Sequence, residues 1–301
     1  MNVFTLEMNV FTVERIDELG LECSSPLSFM YKLSPCVWRE GSRCEILVRA
    51  VNHSPYPAEK VARIYYGHSD DGLTFVMDDH PVIAPGIGPD DKDGCEDPTV
   101  AIQDGKISVY YTGWNETARR RQLLLAAGGH IQHLEKCGTA LASSEGHANP
   151  KEATVVRVAD GSWRLFFEYA DKGASKVGVA SAPAVGGPWT IRPPLFGARP
   201  GHWDDWHLST GPVLCSDPEH PVMFYNGATR EAKWRIGWVV FDALYERVLD
   251  RGEDPLIVPP PREPDDADIA FAASAVEEEA GISLYYSIAD KDMFRAILHR
   301  A

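Results

Sequence analysis

The amino-acid sequence predicts an all-β chain, folded as a five-bladed β-propeller with four-stranded blades. Strand-like pairs of aromatic or aliphatic residues recur at intervals of about 60 residues, a turn precedes each pair, and the 301 residues include 25 Gly and 22 Pro. The five pairs are Leu47-Val48, Tyr110-Tyr111, Phe166-Phe167, Phe224-Tyr225 and Tyr285-Tyr286. Self-similarity at a fixed period indicates a repeat architecture, and four strands per repeat is typical of a propeller blade. A β-sandwich with an accessory domain is the alternative, although no domain boundary is evident.

The elements of each unit follow one another in a fixed order. A short strand comes first, as at 98–103, and a turn such as Asp104-Gly105 leads into the strand pair. Asp-Gly favours this position because it supplies the positive φ that tight hairpins need. A third strand follows the pair, as at 176–180, and a weaker fourth strand follows that, as at 189–192. Four strands per unit are therefore predicted.

The units fill most of the chain, so we expect one domain. Residues 31–301 are predicted to form a single propeller, with residues 1–30 as an N-terminal lead-in. The proline-rich stretches 193–200 and 259–264 fall between units and are interpreted as connections between blades. The first residues are a tandem copy, MNVFTLE and MNVFTVE, which we interpret as alternative starts at Met1 and Met8 or as a slipped duplication.

The compartment is predicted from the lack of targeting features. No basic segment followed by an apolar one opens the chain, and no window approaches 18 consecutive apolar residues. We therefore expect a cytoplasmic protein without a transmembrane helix. The six cysteines form no C-x-x-C pair, and we expect them to be reduced. The sequence does not indicate an oligomeric state.

The charge balance excludes two classes of partner. There are 29 Lys and Arg against 44 Asp and Glu, giving a net charge of −15. Nucleic-acid binders and polybasic membrane-surface proteins need a basic patch, so neither partner is expected. The sequence has no dinucleotide, phosphate-loop or zinc-protease motif. His202 and His207 are only a weak metal signal, and we expect no metal and no other cofactor.

Several polar residues should meet at the axis of the propeller, because the innermost strands of all blades line one channel. The predicted starts of the inner strands are Ser34-Pro35, Glu96-Asp97-Pro98, Lys151-Glu152, Thr210-Gly211-Pro212 and a fifth near Ala270. Carboxylates are unfavourable in strands. Glu96, Asp97 and Glu152 therefore either cap or ion-pair the strand starts, or they form a common functional site.

Other polar residues lie at recurrent positions in the units. Arg49 ends the second strand of the first unit, where its planar guanidinium could hold a carboxylate or sugar hydroxyls. Glu168 and Asp290 follow the matching strands of the third and fifth units, and Arg235 opens the third strand of the fourth. We interpret these as candidate substrate-binding or catalytic residues.

The segment 201–207 is the densest polar and aromatic stretch, and it contains Trp203, Asp205 and His207. Aromatic rings beside acids suit sugar recognition, because a ring stacks on the sugar and the acids accept hydroxyl hydrogen bonds. The alternative is a surface loop whose tryptophans pack on the blade.

Several of these segments resemble a known family. Gly94-Cys95-Glu96-Asp97-Pro98 resembles the G-x-E-D-P-R signature of glycoside hydrolase family 130, the mannoside phosphorylases and related mannosidases. Further segments resemble its other motifs in the same order: Leu47-Val-Arg-Ala50 for L-Y-R-A, Ser69-Asp-Asp-Gly-Leu-Thr-Phe75 for S-x-D-G-x-x-F, Lys151-Glu152-Ala153 for K-D-A, Gly211-Pro212 for G-P-P, Phe224-Tyr-Asn-Gly227 for Y-H-G, Trp234-Arg-Ile-Gly237 for Y-R-x-G and Tyr285-Tyr-Ser-Ile-Ala-Asp290 for Y-Y-G-x-A-D. The family fold is a five-bladed propeller, in agreement with the repeat count.

The resemblance implies roles for individual residues. Asp97 would be the proton donor, acting on the glycosidic oxygen through a sugar hydroxyl, and Arg49 and Asp290 would bind the sugar. The sequence departs from the family where Thr99 replaces the arginine after E-D-P and Asn226 replaces the histidine of Y-H-G. Phosphorolysis needs cations for the phosphate dianion, so these departures favour water as the nucleophile.

The predicted activity is therefore cleavage of a glycosidic bond with inversion, most simply in a β-mannoside. The partner is an oligosaccharide or glycoside, and Lys151 and Arg235 keep inorganic phosphate open as a second substrate. Inversion needs an acid and a base about 6.5–9.5 Å apart. Asp97 is the predicted acid, and Glu152, Glu168 and Asp205 are the candidate bases.

Two other functions remain open at this point. One is a furanosidase propeller of the arabinanase and β-xylosidase kind, which places an acid on the first inner strand. Leu33-Ser-Pro-Cys-Val37 has no carboxylate there, which counts against it. The other is a non-catalytic carbohydrate-binding propeller that lacks a paired carboxylate.

Overall fold

The computed structural model describes residues 11–56, 59–260, 267–279 and 281–300. Across these ranges the chain is built from β-strands and one 3-10 turn at Leu27–Phe29, so the all-β prediction is confirmed. The tandem copy up to Val10, Ala280 and part of the stretch 259–264 lie outside the described residues. No helix in the described ranges is long and apolar enough to cross a membrane.

The first half of the chain forms strands of mostly eight to eleven residues. They are β1 Phe11–Glu18, β2 Gly20–Glu22, β3 Met30–Glu40, β4 Arg43–Asn52, β5 Ala62–Ser69, β6 Thr74–Ile83, β7 Gly94–Gln103, β8 Lys106–Asn115, β9 Arg120–Gly128, β10 Glu135–Leu141, β11 Ala148–Arg157 and β12 Trp163–Asp171.

The second half contains shorter strands before three long closing ones. They are β13 Ala174–Ala182, β14 Thr190–Arg192, β15 His207–Ser209, β16 Val213–Leu214, β17 Val222–Met223, β18 Asn226–Ala228, β19 Trp234–Ile236, β20 Val239–Phe241, β21 Val248–Arg251, β22 Ala270–Glu278, β23 Gly281–Ile288 and β24 Asp292–Arg300.

Consecutive strands pair antiparallel into sheets of three to five strands. Across the described ranges the sheet orders are β2-β6-β5-β4-β3, β10-β9-β8-β7, β11-β12-β13-β14, β15-β18-β19, β16-β17-β20-β21 and β1-β24-β23-β22. Four of these sheets have four strands, and one has five because β2 adds to β6 in parallel. The strand count is therefore less uniform than the predicted four per unit.

The two short sheets are continuous with each other. The strand that contains β17 and β18 is interrupted at Phe224 and Tyr225, yet the Phe224 amide donates to Pro212 and the Gly237 amide donates to the Tyr225 carbonyl at 3.0 Å. Gly211 permits this approach, because a Cβ there would lie 1.9 Å from the Phe224 carbonyl oxygen. Both short sheets thus come from one meander over residues 207–251.

The chain ends meet in one sheet. Strand β1 pairs antiparallel with β24, from Phe11 opposite Arg300 to Glu18 opposite Phe294. Residues 11–22 therefore supply strands β1 and β2 to two sheets, where the sequence predicted only a lead-in. Phe11 is 4% exposed and packs edge-on against Phe224, which explains why this segment is ordered as a strand.

The core lies between the faces of neighbouring sheets. All ten residues of the five recurring strand pairs are at most 1% exposed. Adjacent residues of a strand point to opposite faces, so each sheet is covered on both sides. In the described ranges the buried residues form five clusters. Each is shared by two neighbouring sheets when the two short sheets of the 207–251 meander are taken together, and one of them joins Val48 of β4 to Tyr285 of β23.

Candidate active site

Three inner-edge strands carry the same irregularity at the same place. The register shifts between Leu33 and Cys36 in β3, between Glu96 and Thr99 in β7, and between Lys151 and Ala153 in β11. At these bulges Ser34, Asp97 and Glu152 have φ values of 53°, 49° and 51°. Non-glycine residues adopt this left-handed conformation at a cost of about 1–3 kcal/mol, and such strain clusters at functional sites. The bulges turn all three side chains toward one cavity.

The cavity is small and strongly polar. Its volume is about 140 Å³, and its lining residues are Leu33, Ser34, Arg49, Asp97, Lys151, Glu152, Trp234, Phe271, Ser287 and Asp290. The lining comes from strands of all four long sheets and the third strand of the 207–251 meander. Repeat-equivalent positions far apart in sequence therefore converge, as the repeat predicts.

Asp97 is fixed by two donors on one oxygen. Its Oδ1 accepts from Arg49 Nη1 at 3.0 Å and from the Ser34 hydroxyl at 2.9 Å. Although burial acts to raise the pKa of Asp97, the Arg49 and Lys151 cations and the Ser34 hydroxyl hold it below its usual range. The side chain is thereby oriented with Oδ2 left for another partner.

Arg49 joins the two carboxylates of the E-D-P segment. Its Nη2 lies 2.9 Å from Glu96 Oε1, while Nη1 holds Asp97. Burial acts to lower the pKa of Arg49, but Glu96, Asp97 and Glu152 raise it further, so the guanidinium is permanently charged. Glu96 also contacts Arg121 Nε at 3.5 Å.

Lys151 and Glu168 face each other across β11 and β12. They are register partners, and Lys151 Nζ lies 3.3 Å from Glu168 Oε1. Glu168 is 2% exposed, and its Oε2 is buried without a hydrogen-bond partner. Burial acts to lower the pKa of Lys151, but Glu168, Glu152 and Asp97 raise it above its usual range, so the ammonium is charged.

Glu152 and Asp290 are the acids that hold protons most strongly. Burial, the charge of Asp97 and a hydrogen bond with Asp97 raise the pKa of Glu152 well above its usual range. Burial is also the main cause that raises the pKa of Asp290. The side chains of Glu152 and Asp97 are thus within hydrogen-bond reach of each other.

Two aromatic side chains form one wall of the cavity. Trp234 and Phe271 pack edge to face, with ring centroids 5.3 Å apart. Trp234 was predicted only as part of a motif and Ser34 only as the start of an inner strand, and Phe271 and Arg121 were not predicted. Ser34 occupies the position that matches Asp97 in the repeat, which was a usable signal.

Seven predicted site residues do not line this cavity: Glu96 and Glu168 contact its cations Arg49 and Lys151, His207 lies at its margin, and Trp203, Asp205, Asn226 and Arg235 lie elsewhere. Trp203 stacks on Tyr225 at 5.5 Å and donates to the Glu253 carbonyl, so it packs on the meander, as the alternative interpretation of the 201–207 loop had it. Asp205, on the same loop, is also outside. Asn226 is completely buried and binds the backbone of Thr210 and Ala272. Arg235 forms an ion pair with Asp268 at 2.8 Å.

His207 lies at the margin of the site. Its Nδ1 accepts from the Ser175 amide at 3.0 Å, and its ring lies 5.7 Å from that of Trp234. Burial lowers the pKa of His207, in line with a neutral ring. The accepting Nδ1 leaves the proton of the neutral ring on Nε2.

The arrangement suits a neutral polyhydroxylated ligand. Carboxylates and cations that are already paired with each other offer hydrogen bonds to hydroxyl groups, and Trp234 with Phe271 offers a stacking surface. In the described ranges no group of His, Cys, Asp or Glu is arranged to hold a metal ion.

Comparison with curated proteins identifies relatives. A β-1,2-mannobiose phosphorylase of Listeria innocua is 30% identical over 103 residues, which is 33% of this chain and 29% of the relative. A 1,2-β-oligomannan phosphorylase of Thermoanaerobacter sp. is 22% identical over 261 residues, which is 84% of each chain. The resemblance to glycoside hydrolase family 130 is confirmed. No family model matches the chain.

Solved structures show the same fold. The Listeria innocua β-1,2-mannobiose phosphorylase in complex with β-1,2-mannobiose has a TM-score of 0.76 at 18% identity, covering 95% of this chain and 91% of that one. A structure from work on family 130 hydrolases that target β-1,2 mannosidic linkages has a TM-score of 0.75 at 22% identity, covering 89% and 84%. The similarity extends over nearly the whole described fold.

Proposed function

We propose that this family 130 homologue cleaves a β-mannoside with inversion, with water as the nucleophile and Asp97 as the proton donor. The observation that carries the proposal is the placement of Asp97 in the cavity, where Arg49 and Ser34 occupy Oδ1 and leave Oδ2 for proton transfer. The phosphorylases among its relatives act on β-1,2-linked mannosides, which makes that linkage the first substrate to test.

We propose that the sheets form a five-bladed propeller, which is the scaffold of the site. Five buried clusters link successive sheets, and the cluster of Val48 and Tyr285 links the last sheet back to the first. With the 207–251 meander counted as one blade, this closed series contains five blades. Ring closure by β1 and β24 then gives one domain, and the cavity lies where the inner edges converge.

In the proposed reaction a mannoside stacks on Trp234, and Arg49 and Asp290 bind its hydroxyls. Asp97 protonates a sugar hydroxyl, which passes its own proton to the glycosidic oxygen as the bond from C1 breaks. A water molecule adds to C1 from the opposite face and gives its proton to a base. The products are two sugars, and the configuration at C1 is inverted.

Glu168 is the base that the geometry favours among the three candidates. Glu152 contacts Asp97, whereas an inverting pair needs carboxyls about 6.5–9.5 Å apart. Neither Asp205 nor Glu168 lines the cavity, but Glu168 is held by Lys151, which does. Glu168 has a buried oxygen, Oε2, without a hydrogen-bond partner, and Lys151 Nζ holds its Oε1 at 3.3 Å.

Water is favoured over phosphate because the cations of the site are already paired. Arg49 holds Glu96 and Asp97, Lys151 holds Glu168, and Arg121 holds Glu96. A phosphate dianion would have to compete with these carboxylates for every cation. Arg235 and Asn226, the other candidate phosphate ligands, have partners outside the cavity.

Phosphorolysis is the second candidate, because both curated relatives are phosphorylases. Incubation of the full chain with β-1,2-mannobiose and longer mannooligosaccharides, with and without inorganic phosphate, separates the two. We expect free mannose without phosphate and an α-anomeric product at early times by proton NMR.

Asp97→Asn should abolish turnover, with the exposed Asp254→Asn as the control. Mannose 1-phosphate formed only with phosphate would overturn hydrolysis, and an unchanged rate in Asp97→Asn would overturn the acid assignment.

A further inference from the structure

The cavity holds more carboxyl groups than cations. Among the described residues, Asp97, Glu152 and Asp290 line it together with Arg49 and Lys151. Glu96, Glu168 and Arg121 belong to the same ion-pair network but do not line it. Buried charges that lack a counter-charge are unfavourable, so a group in this position keeps its proton. Glu152 and Asp290 have no ion pair among the described residues, and the pKa of each is raised toward the protonated form.

Glu152 lines the same cavity as Asp97. The two residues occupy equivalent bulges on adjacent inner strands. A hydrogen bond between their side chains is among the causes that set both pKa values. Arg49 and Ser34 both donate to Oδ1 of Asp97, so Oδ2 remains to accept from Glu152. The Glu152 amide donates to Thr112 Oγ1 at 3.4 Å and holds the backbone of this bulge.

We propose that Glu152 and Asp97 share a single proton, that Glu152 stores it in the free protein, and that Ser34 positions the pair by occupying Oδ1. The storage role rests on the proposed function, whereas the shared proton does not. During turnover the O–H bond of Glu152 breaks as one forms on Asp97 Oδ2, and Asp97 passes its proton to the sugar. Glu152 is then a carboxylate, and the proton that the base takes from water returns to it through solvent.

The charges around the pair favour a proton on Glu152 rather than on Asp97. Arg49 and Lys151 face Asp97 and hold its pKa low, while Glu168 and the Asp97 carboxylate face Glu152 and raise its pKa. Two interacting acids titrate in two macroscopic steps that belong to the pair, and the loss of the shared proton is the step at higher pH.

A titration without substrate tests the shared proton. Glutamate labelled with carbon-13 at the side-chain carboxyl is incorporated into the full chain, and carboxyl signals are followed against pH by NMR. We expect one glutamate signal in the protonated position at neutral pH. It should vanish in Glu152→Gln, persist in the exposed control Glu18→Gln, and titrate at lower pH in Asp97→Asn, where the neighbouring charge is gone.

Two further measurements, one by NMR and one of kcat against pH, complete the test. Ser34→Ala should shift the Glu152 signal toward the ionised position, because losing a donor on Oδ1 moves the proton toward Asp97. In Glu152→Gln the alkaline limb of the kcat profile should move to lower pH, with kcat reduced at least tenfold at pH 7 and KM little changed.

A wild-type spectrum without a protonated glutamate, or a signal that survives Glu152→Gln, overturns the shared proton. An unchanged pH profile in Glu152→Gln overturns the storage role alone, and lack of turnover by the wild type contradicts the proposed function alone.

Discussion

Arg49 Nη1 lies 3.0 Å from Asp97 Oδ1, and this contact joins the end of β4 in one sheet to the bulge of β7 in the next. The second nitrogen of the same guanidinium holds Glu96 at 2.9 Å. A planar guanidinium can satisfy two carboxylates at once, which a lysine ammonium on a flexible stem does less well. The sheet interface and the orientation of Asp97 therefore depend on the same side chain.

Arg49→Lys should destabilise the fold by about 1.5–3 kcal/mol, the usual contribution of one hydrogen bond to a charged group. Asp97 should also titrate at higher pH, because its main counter-charge is less well placed. Urea unfolding measures the first effect. Arg247→Lys is the matched control, since Arg247 is 76% exposed beside Asp242 and such pairs contribute about 0–1 kcal/mol. Equal effects of the two substitutions would show that the buried contact contributes no more than a surface pair.

Asp290→Asn should stabilise the protein at neutral pH while weakening sugar binding. Burial raises the folded-state pKa of Asp290, so its contribution to stability is fully present below the unfolded pKa and is lost as pH rises through the folded pKa. Each unit of difference corresponds to about 1.4 kcal/mol. Asparagine also tolerates the φ of 55° at this position.

Unfolding of Asp290→Asn at a series of pH values checks this prediction. The stability of the variant relative to wild type should rise as pH increases from about 4, the ordinary region of aspartate titration. Asp254→Asn, on an exposed loop, should show no such trend. A difference between Asp290→Asn and wild type that does not depend on pH would contradict the assignment of a raised pKa.

The repeat and the convergence of polar residues were predictable because both follow from strand periodicity. The bulges that aim Asp97 and Glu152 inward were not, since the left-handed φ of an aspartate or glutamate has no marker comparable to glycine. Residues 11–22 were assigned to a lead-in because their partners, β24 and β6, are remote in sequence or parallel. Trp203 and Asn226 were assigned to the site because sequence order does not show which face of a strand or loop a side chain occupies.

Asp204→Asn should destabilise the 207–251 meander strongly, by about 3–5 kcal/mol. Asp204 is completely buried, and Arg199 Nε, Arg251 Nη2 and the Tyr225 hydroxyl all donate to it. Removal of its charge leaves two partly buried guanidinium groups without their common partner. Thermal and urea unfolding should show the loss, with Asp254→Asn as the control. A change below about 1 kcal/mol, the size of an exposed pair, would show that the arginines find other partners.

Trp234→Ala should raise KM for a mannoside about tenfold while leaving the stability of the fold nearly unchanged. Its ring forms the cavity wall with Phe271. Loss of an aromatic contact of about 1.4 kcal/mol corresponds to that factor. Trp206→Ala is the matched control, because Trp206 packs under Arg230 outside the cavity. Isothermal titration with mannobiose on the Asp97→Asn background measures binding without turnover. Equal affinity of the Trp234→Ala and Trp206→Ala proteins would show that the sugar does not stack on this wall.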